Sequence, residues 1–363
     1  AWELDRIVEA AEQYNIYINL VIHNHGKFST FSDAEWSSNP FRRKNGGFLN
    51  APGEYFTDRR ALAAFRKLMR YIVSRWGYST HVATWELWSE LDLTGSRHGE
   101  YKRPEVRDWH QLMGREIKAM DPNDHLIGTH VCGDYSHQHD PIITLPEIDY
   151  CPVDAYHHNS RALYIVELMG KTAAYNNPKG KPVLITEFGG TPMGQGLRHL
   201  VDTLHAALWS SAAVPVAGTP LLWWWHLVEE ENMYPMYGAV SRFLEGEDFR
   251  NPDRVVCAAY AVSESGTRLN DVDAVCASDG RSAHGWVYRS RRFDRIDPSS
   301  PPRDGVKLLI PDVDAGRRVV EFWDTRRGVV AHTVEVECDA NRLTVMSPPF
   351  ARDIAFKVKP PGN

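Results

Sequence analysis

Along the first two thirds of the chain, the hydrophobic positions switch repeatedly between two periods. Over residues 2–14 the apolar side chains Leu4, Ile7, Val8 and Ala11 recur at helical spacing. Residues 16–22 form a β-branched run that ends in His23-Asn24-His25-Gly26 and predicts a strand. Thr57 or Asp58 can cap a helix running to Trp76, with Leu62, Phe65, Leu68, Met69 and Ile72 on one face. A strand over 82–88 follows, then a helix over 104–120 opened by Pro104 and closed by Asp121-Pro122. Strands are predicted over 126–131, 148–154, 182–186 and 220–225, and helices over 162–175, 197–213 and 236–244.

Strands that alternate with helices imply a parallel sheet, with functional residues gathered at the C-terminal strand ends. The expected architecture is α/β, a (β/α)8 TIM barrel over residues 1–250 with six of its eight strands visible. Because the chain opens on a helix, a removed N-terminal segment or a second chain is expected to supply the first two strands. After Asn251-Pro252 the pattern changes to short β-rich stretches without helical periodicity: 254–262, 284–288, 306–309, 318–323, 333–337, 342–345 and 354–358. They predict a small β-sandwich accessory domain over 251–363, with loops such as 297–302 between its strands.

Composition narrows the function. Of 363 residues, 43% are hydrophobic, enough for a sizeable core, and the formal charge of −6 comes with no long basic run, so neither nucleic acid nor a membrane is an expected partner. The most apolar stretch, 214–228, is interrupted by Pro215, Gly218 and Pro220. The 12 Trp, 15 Tyr and 13 Phe favour a sugar ligand weakly, because such rings also fill cores. Five cysteines lack metal-site spacing, and their odd number excludes complete internal pairing. A Cys132–Cys151 bridge is conceivable on neighbouring strands, but buried thiols are the expected state.

Two segments carry the candidate chemistry. Thr84-Trp85-Glu86-Leu87-Trp88-Ser89-Glu90 places Glu86, Trp88 and Glu90 on one side of a strand, with Glu90 at its end. Glu86 lies deeper and suits a structural ion pair. Lys181-Pro182-Val183-Leu184-Ile185-Thr186-Glu187-Phe188-Gly189-Gly190 sets a carboxylate at the mouth of an apolar strand, where burial without a partner is costly. Two carboxylates at the ends of parallel strands meet the demand of acid/base glycosidic cleavage. His23 and His25 have the form of a metal pair, with His130, His157 and His158 also following strands. Trp223-Trp224-Trp225 ends the last barrel strand, and one of these rings facing the site would form a sugar platform.

Together these residues resemble the retaining glycoside hydrolases of clan A, most closely family-5-like enzymes of the cellulase and mannanase type. The resemblance covers residues 1 to about 250. It implies that Glu90 is the general acid/base, that Glu187 before Phe188-Gly189 is the nucleophile, and that Tyr156 bonds the nucleophile, with Asp154 standing where the family has His. His23, His25, Trp88, Ser89, His157, Trp224 and Trp225 are implied substrate-binding residues. Ser89 replaces an Asn that normally bonds the sugar 2-hydroxyl. An Arg near the nucleophile would lie on the strands that precede residue 1.

The expected function is a retaining β-glycoside hydrolase that cleaves β-linked oligo- or polysaccharide by double displacement, with no cofactor and no metal, in an extracellular or periplasmic setting. Two other readings compete. One is a non-catalytic carbohydrate-binding barrel. The other is a metal-dependent amidohydrolase-like enzyme using His23 and His25, with His130 or His157.

Overall fold

The computed structural model describes residues 1–296, 300–339 and 341–362, so the loop expected over 297–302 lies partly outside the described residues. The chain forms two compact units. One comprises Ala1–Asp154 with Tyr175–Leu184, and the other Ala155–Ala174 with Ile185–Asn363.

In the first unit, helices and strands alternate: α1 (Trp2–Tyr14), β1 (Ile18–Val21), α2 (Arg59–Trp76), β2 (Val82–Glu86), α3 (Pro104–Met120), β3 (Leu126–Gly128), α4 (Asp140–Ile143) and β4 (Cys151–Asp154). The first three strands form a sheet in the order β1-β2-β3, with both pairs parallel. Local chemistry sets the helix ends as the sequence predicts. The Asp58 carboxylate accepts the Arg60 N–H at the start of α2, and Pro104 occupies the first turn of α3, where its missing N–H costs nothing. The expected strands over 126–131 and 148–154 are shorter than their apolar runs, because the ends of those runs leave the ladder as loops that carry functional side chains.

The helices are tied together on their outer faces. Arg75 makes a forked pair with Asp5 at 2.5 and 2.8 Å, linking α2 to α1, and Arg66 does the same with Glu116 of α3 at 2.6 and 2.7 Å. Beneath them lies one core in which Phe28, Tyr55, Phe65, Trp85, Trp88 and Trp109 are nearly or fully buried. Each such side chain contributes about 1.5–3 kcal/mol of burial.

α5 (Tyr164–Asn176) and β5 (Val183–Glu187) each pass from one unit to the other, and β5 is the neighbour of β4. The second unit continues with α6 (Leu197–Ser211), α7 (Trp225–Glu230) and α8 (Tyr234–Leu244). Here one expectation fails. Residues 220–225 form no strand but a single parallel bridge between Phe188 and Leu222, after which α7 begins at Trp225. The Phe188 N–H donates to the Leu221 carbonyl and the Trp223 N–H to the Phe188 carbonyl, and the ladder ends there. The chain then turns at Trp224, whose indole N–H donates to the Gly189 carbonyl at 2.9 Å.

The C-terminal region is antiparallel and β-rich. It contains β6 (Val255–Cys257), β7 (Tyr260–Val262), β8 (Asp273–Ser278), β9 (Ala283–Tyr288), β10 (Lys307–Pro311), β11 (Gly316–Asp324), β12 (Val329–Cys338), β13 (Arg342–Met346) and β14 (Asp353–Lys359). Six of these strands form a sheet in the order β12-β11-β14-β9-β8-β6, and three form a second sheet, β13-β10-β7. Both sheets contribute to one core, with Leu308, Ile310 and Leu343 from the smaller and Val320, Phe322 and Phe356 from the larger. The sequence reading missed β8, whose Asp-Ala-Val-Cys-Ala-Ser run lacks a clear alternation. It also missed the bridge that β8 makes. Cys257 and Cys276 sit directly opposite on β6 and β8 and form a disulfide, while Cys132, Cys151 and Cys338 are free thiols.

Candidate active site

Glu90 sits just beyond β2 in a left-handed backbone conformation, φ 51° and ψ 53°, that non-glycine residues seldom adopt. Its neighbours hold it there. The Ser89 N–H donates to the His23 carbonyl at 2.8 Å and the Leu91 N–H to the His130 carbonyl at 2.9 Å, so the ends of two flanking strands grip the chain on either side. The turn releases the Glu90 side chain from the strand alternation and aims it at His25, whose Nδ1 lies 2.9 Å from Glu90 Oε2. The other ring nitrogen of His25, Nε2, lies 3.0 Å from Oδ2 of Asp33, which is well exposed. Burial works against charge on His25, but the two carboxylates outweigh it and raise the imidazole above its ordinary 6.5.

Below this turn lies a buried polar chain. Glu86 Oε1 stands 2.5 Å from Nδ1 of His130, and His130 Nε2 lies 3.3 Å from Oδ1 of Asp154, with all three side chains 2% exposed or less. The second Glu86 oxygen accepts the Asn19 amide at 2.6 Å. Asn19 Oδ1 in turn accepts the hydroxyls of Thr84 and Tyr150. Glu86 is thus held by buried polar partners, with the His130 imidazole between it and Asp154 near the ends of β2, β3 and β4. Neither His130 as the central link nor the His–Asp154 contact was visible in the sequence, because the pairing spans three strands.

In the second unit, the carboxylate that ends β5 is equally well held. The Tyr156 hydroxyl donates to Glu187 Oε2 at 3.0 Å. Backbone bonds from the Ala155 N–H to the Glu187 carbonyl and from the His157 N–H to the Gly190 carbonyl, both 2.8 Å, fix that spacing. Trp224 packs beside this turn. A Cβ on Gly189 would lie 2.6 Å from the Trp224 ring, so glycine is required for the indole to approach. Trp224 is half-buried, whereas Trp225 is 69% exposed on α7 and Trp223 46%. Of the tryptophans expected to compete for a sugar platform, Trp224 is therefore the one anchored next to the Glu187 segment.

Three residues expected to bind substrate are buried in this structure. Trp88 is completely buried, and its indole N–H donates to Thr94 Oγ1 at 2.8 Å. His23 is enclosed by Phe28, Tyr55, Phe65 and Trp88, with its Nε2 2.8 Å from the Tyr55 hydroxyl. Burial, reinforced by Lys27, lowers its pKa to about 3, so the ring is neutral. His157 is 6% exposed against Tyr164 and His199, and burial followed by the His199 charge lowers it to about 4. Period-two alternation placed Trp88 on the side of Glu86 and Glu90, and the resemblance placed His23 and His157 at strand ends, but the strands end before all three. The same contacts keep His23 and His25 from sharing a ligand position. His23 faces Tyr55 and His25 faces two carboxylates, and among the described residues neither belongs to a cluster of three metal-ligand side chains. Ser89 is partly exposed at the bridge between Asn24 and Ser89. Asp33 was missed because it comes from a loop eight residues beyond His25, without a pattern that marks it.

Comparison with known proteins identifies a family. Residues 2–226 match the cellulase family, glycosyl hydrolase family 5. Among solved structures, a glycoside hydrolase superposes with a TM-score of 0.62 at 12% identity, covering 99% of this chain and 76% of its own. A family 5 glycoside hydrolase from Bacteroides vulgatus gives 0.61 at 12% identity, covering 98% and 73%. The endo-beta-1,4-mannanase from Thermotoga petrophila gives 0.47 at 14% identity, covering 92% and 75%. No curated protein matches the chain significantly. The family's fold is the TIM barrel, and with a match over residues 2–226 the chain belongs to the cellulase family, glycosyl hydrolase family 5, and is a glycoside hydrolase.

Proposed function

We propose that this glycoside hydrolase cleaves β-linked oligo- or polysaccharide with retention, by double displacement. Glu187 attacks the anomeric carbon as the glycosidic C–O bond breaks, and Glu90 gives its proton to the departing oxygen. In the second half, Glu90 takes a proton from water, whose oxygen replaces the Glu187 carboxylate at the same carbon. Tyr156 steadies the nucleophile, and Trp224 offers an indole face to the sugar ring. Ser89 is shorter than the usual Asn, so its bond to the 2-hydroxyl is weaker. In this reading the C-terminal antiparallel region is a β-sandwich accessory to a catalytic barrel.

The observation that supports this reading best is the hydrogen bond from the Tyr156 hydroxyl to Glu187 Oε2, which orients a strand-end carboxylate without neutralising it. The test is hydrolysis of a β-linked glycan and of an aryl β-glycoside, with the anomer released first identified by NMR. Retention is expected, with Glu187→Gln reducing kcat by about 10⁴-fold or more. Release of the inverted anomer rejects the double displacement. Binding without cleavage by both proteins favours the carbohydrate-binding barrel instead.

A further inference from the structure

The C-terminal region carries a cleft whose lining is unusually one-sided. About 480 Å³ in volume, it is bounded by Arg268, Arg289, Arg291, Arg292 and Arg303, with Asp271 as the single carboxylate among the described residues and Leu269 and Asn270 completing the wall. The whole chain is acidic, with a formal charge of −6, so this concentration of positive charge runs against the average. Three of the five guanidinium groups are held in place. Arg289 is 9% exposed and donates through one nitrogen to the Pro301 and Ala351 carbonyls, both at 3.1 Å. Arg268 lies 5.1 Å over the Tyr260 ring. Arg303 stands 3.4 Å from Asp271, the one opposing charge. Arg291 and Arg292 are exposed on the turn after β9.

We propose that this cleft binds an anionic polysaccharide through its carboxylate or sulfate groups. Every cation in it is an arginine, whose planar fork matches a two-oxygen anion in a way the lysine ammonium does not. Anchoring three of the five removes part of the ordering cost of binding. The cleft accommodates a few sugar residues, and among the described residues no aromatic side chain lines it to stack a nucleobase, which favours a charged glycan over a nucleic acid. A uronate-bearing polymer held here would keep the enzyme on a mixed matrix while hydrolysis proceeds on a neutral chain.

The test uses the full chain in affinity electrophoresis through gels containing polygalacturonate or a neutral β-glucan, at low and at raised salt. Wild type should be retarded by the polyuronate in a salt-sensitive manner. The double variant Arg291→Gln, Arg292→Gln should lose about tenfold in affinity, since two charge-assisted contacts disappear. Its rate on a small neutral aryl glycoside should equal that of wild type, showing an intact fold. Absence of retardation at low salt overturns the proposal, as does equal retardation of the double variant. Competition by single-stranded DNA as effective as that by soluble oligogalacturonate also overturns it, by revealing an unselective polyanion surface.

Discussion

Nδ1 of His25 lies 2.9 Å from Oε2 of Glu90, so the proposed acid/base shares its immediate surroundings with an imidazole whose pKa the neighbouring carboxylates raise above its ordinary 6.5. Asp33, on the other side of the ring, raises His25 further. The folded state therefore holds the His25 proton more tightly than the unfolded state, whose value is close to 6.5. The resulting stabilisation is fully present below 6.5 and disappears as pH rises through the raised folded value. Asp33→Asn should destabilise the protein slightly at acidic pH and not at all at clearly alkaline pH, as read from urea midpoints across a pH series. A constant difference at every pH would contradict the ion pair.

Activity should follow the same coupling. While His25 carries its proton, the pair can share it between Nδ1 and Oε2, and the alkaline limb of kcat/KM reports loss of that proton. Asp33→Asn should move this limb to lower pH, modestly because Asp33 is exposed and screened. pH–rate profiles of the two proteins on an aryl β-glycoside decide the matter. Superimposable limbs would separate His25 from the catalytic proton.

Removing the Tyr156 hydroxyl costs the Glu187 carboxylate one oriented donor. Tyr156→Phe should reduce kcat about tenfold, in line with a single hydrogen bond of about 1–1.5 kcal/mol, with unchanged thermal stability. Steady-state kinetics beside a melting curve check both halves.

The chain Glu86–His130–Asp154 is nearly closed to solvent, so taking away its middle removes one polar neighbour from each of two buried carboxylates. His130→Ala should destabilise the protein by about 3–5 kcal/mol, measured by urea denaturation. A loss below about 1 kcal/mol would mean that water enters and solvates the acids.

The Cys257–Cys276 bridge closes a loop between residues 19 apart in sequence. Replacing both by Ser should lower stability by about 3 kcal/mol relative to the oxidised protein, and a reductant should lower wild type comparably. Denaturant midpoints with and without dithiothreitol provide the comparison.

What the sequence disclosed follows from the range of the forces involved. Periodicity, Pro104 and Asp58 report local physics, and the helices Trp2–Tyr14 and Pro104–Met120 begin and end where those signals place them. Glu90 and Glu187 could be singled out because a charge at the end of an apolar run is itself anomalous. The burial of Trp88, His23 and His157 was not legible because loop geometry decides which way a side chain points once a strand has ended. The run of three tryptophans at 223–225 read as a strand because bulky apolar residues suit sheets. The hydrogen bond from Trp224 to the Gly189 carbonyl, a contact across 35 residues, instead accompanies the turn into α7. Asp33, the His130 relay and the Cys257–Cys276 pairing are all products of chain reversal, and no short window contains them.

α6 is buried along almost its whole length, from Leu200 to Ser211. Its polar side chains reach into the C-terminal strands: His205 meets Asp353 at 3.1 Å, and Asp202 meets Arg352 at 2.5 Å. A helix with so little free surface cannot tolerate water where those strands now lie. Trimming the protein back to its hydrolase half would expose an apolar cylinder studded with orphaned charges, and the shortened product should aggregate.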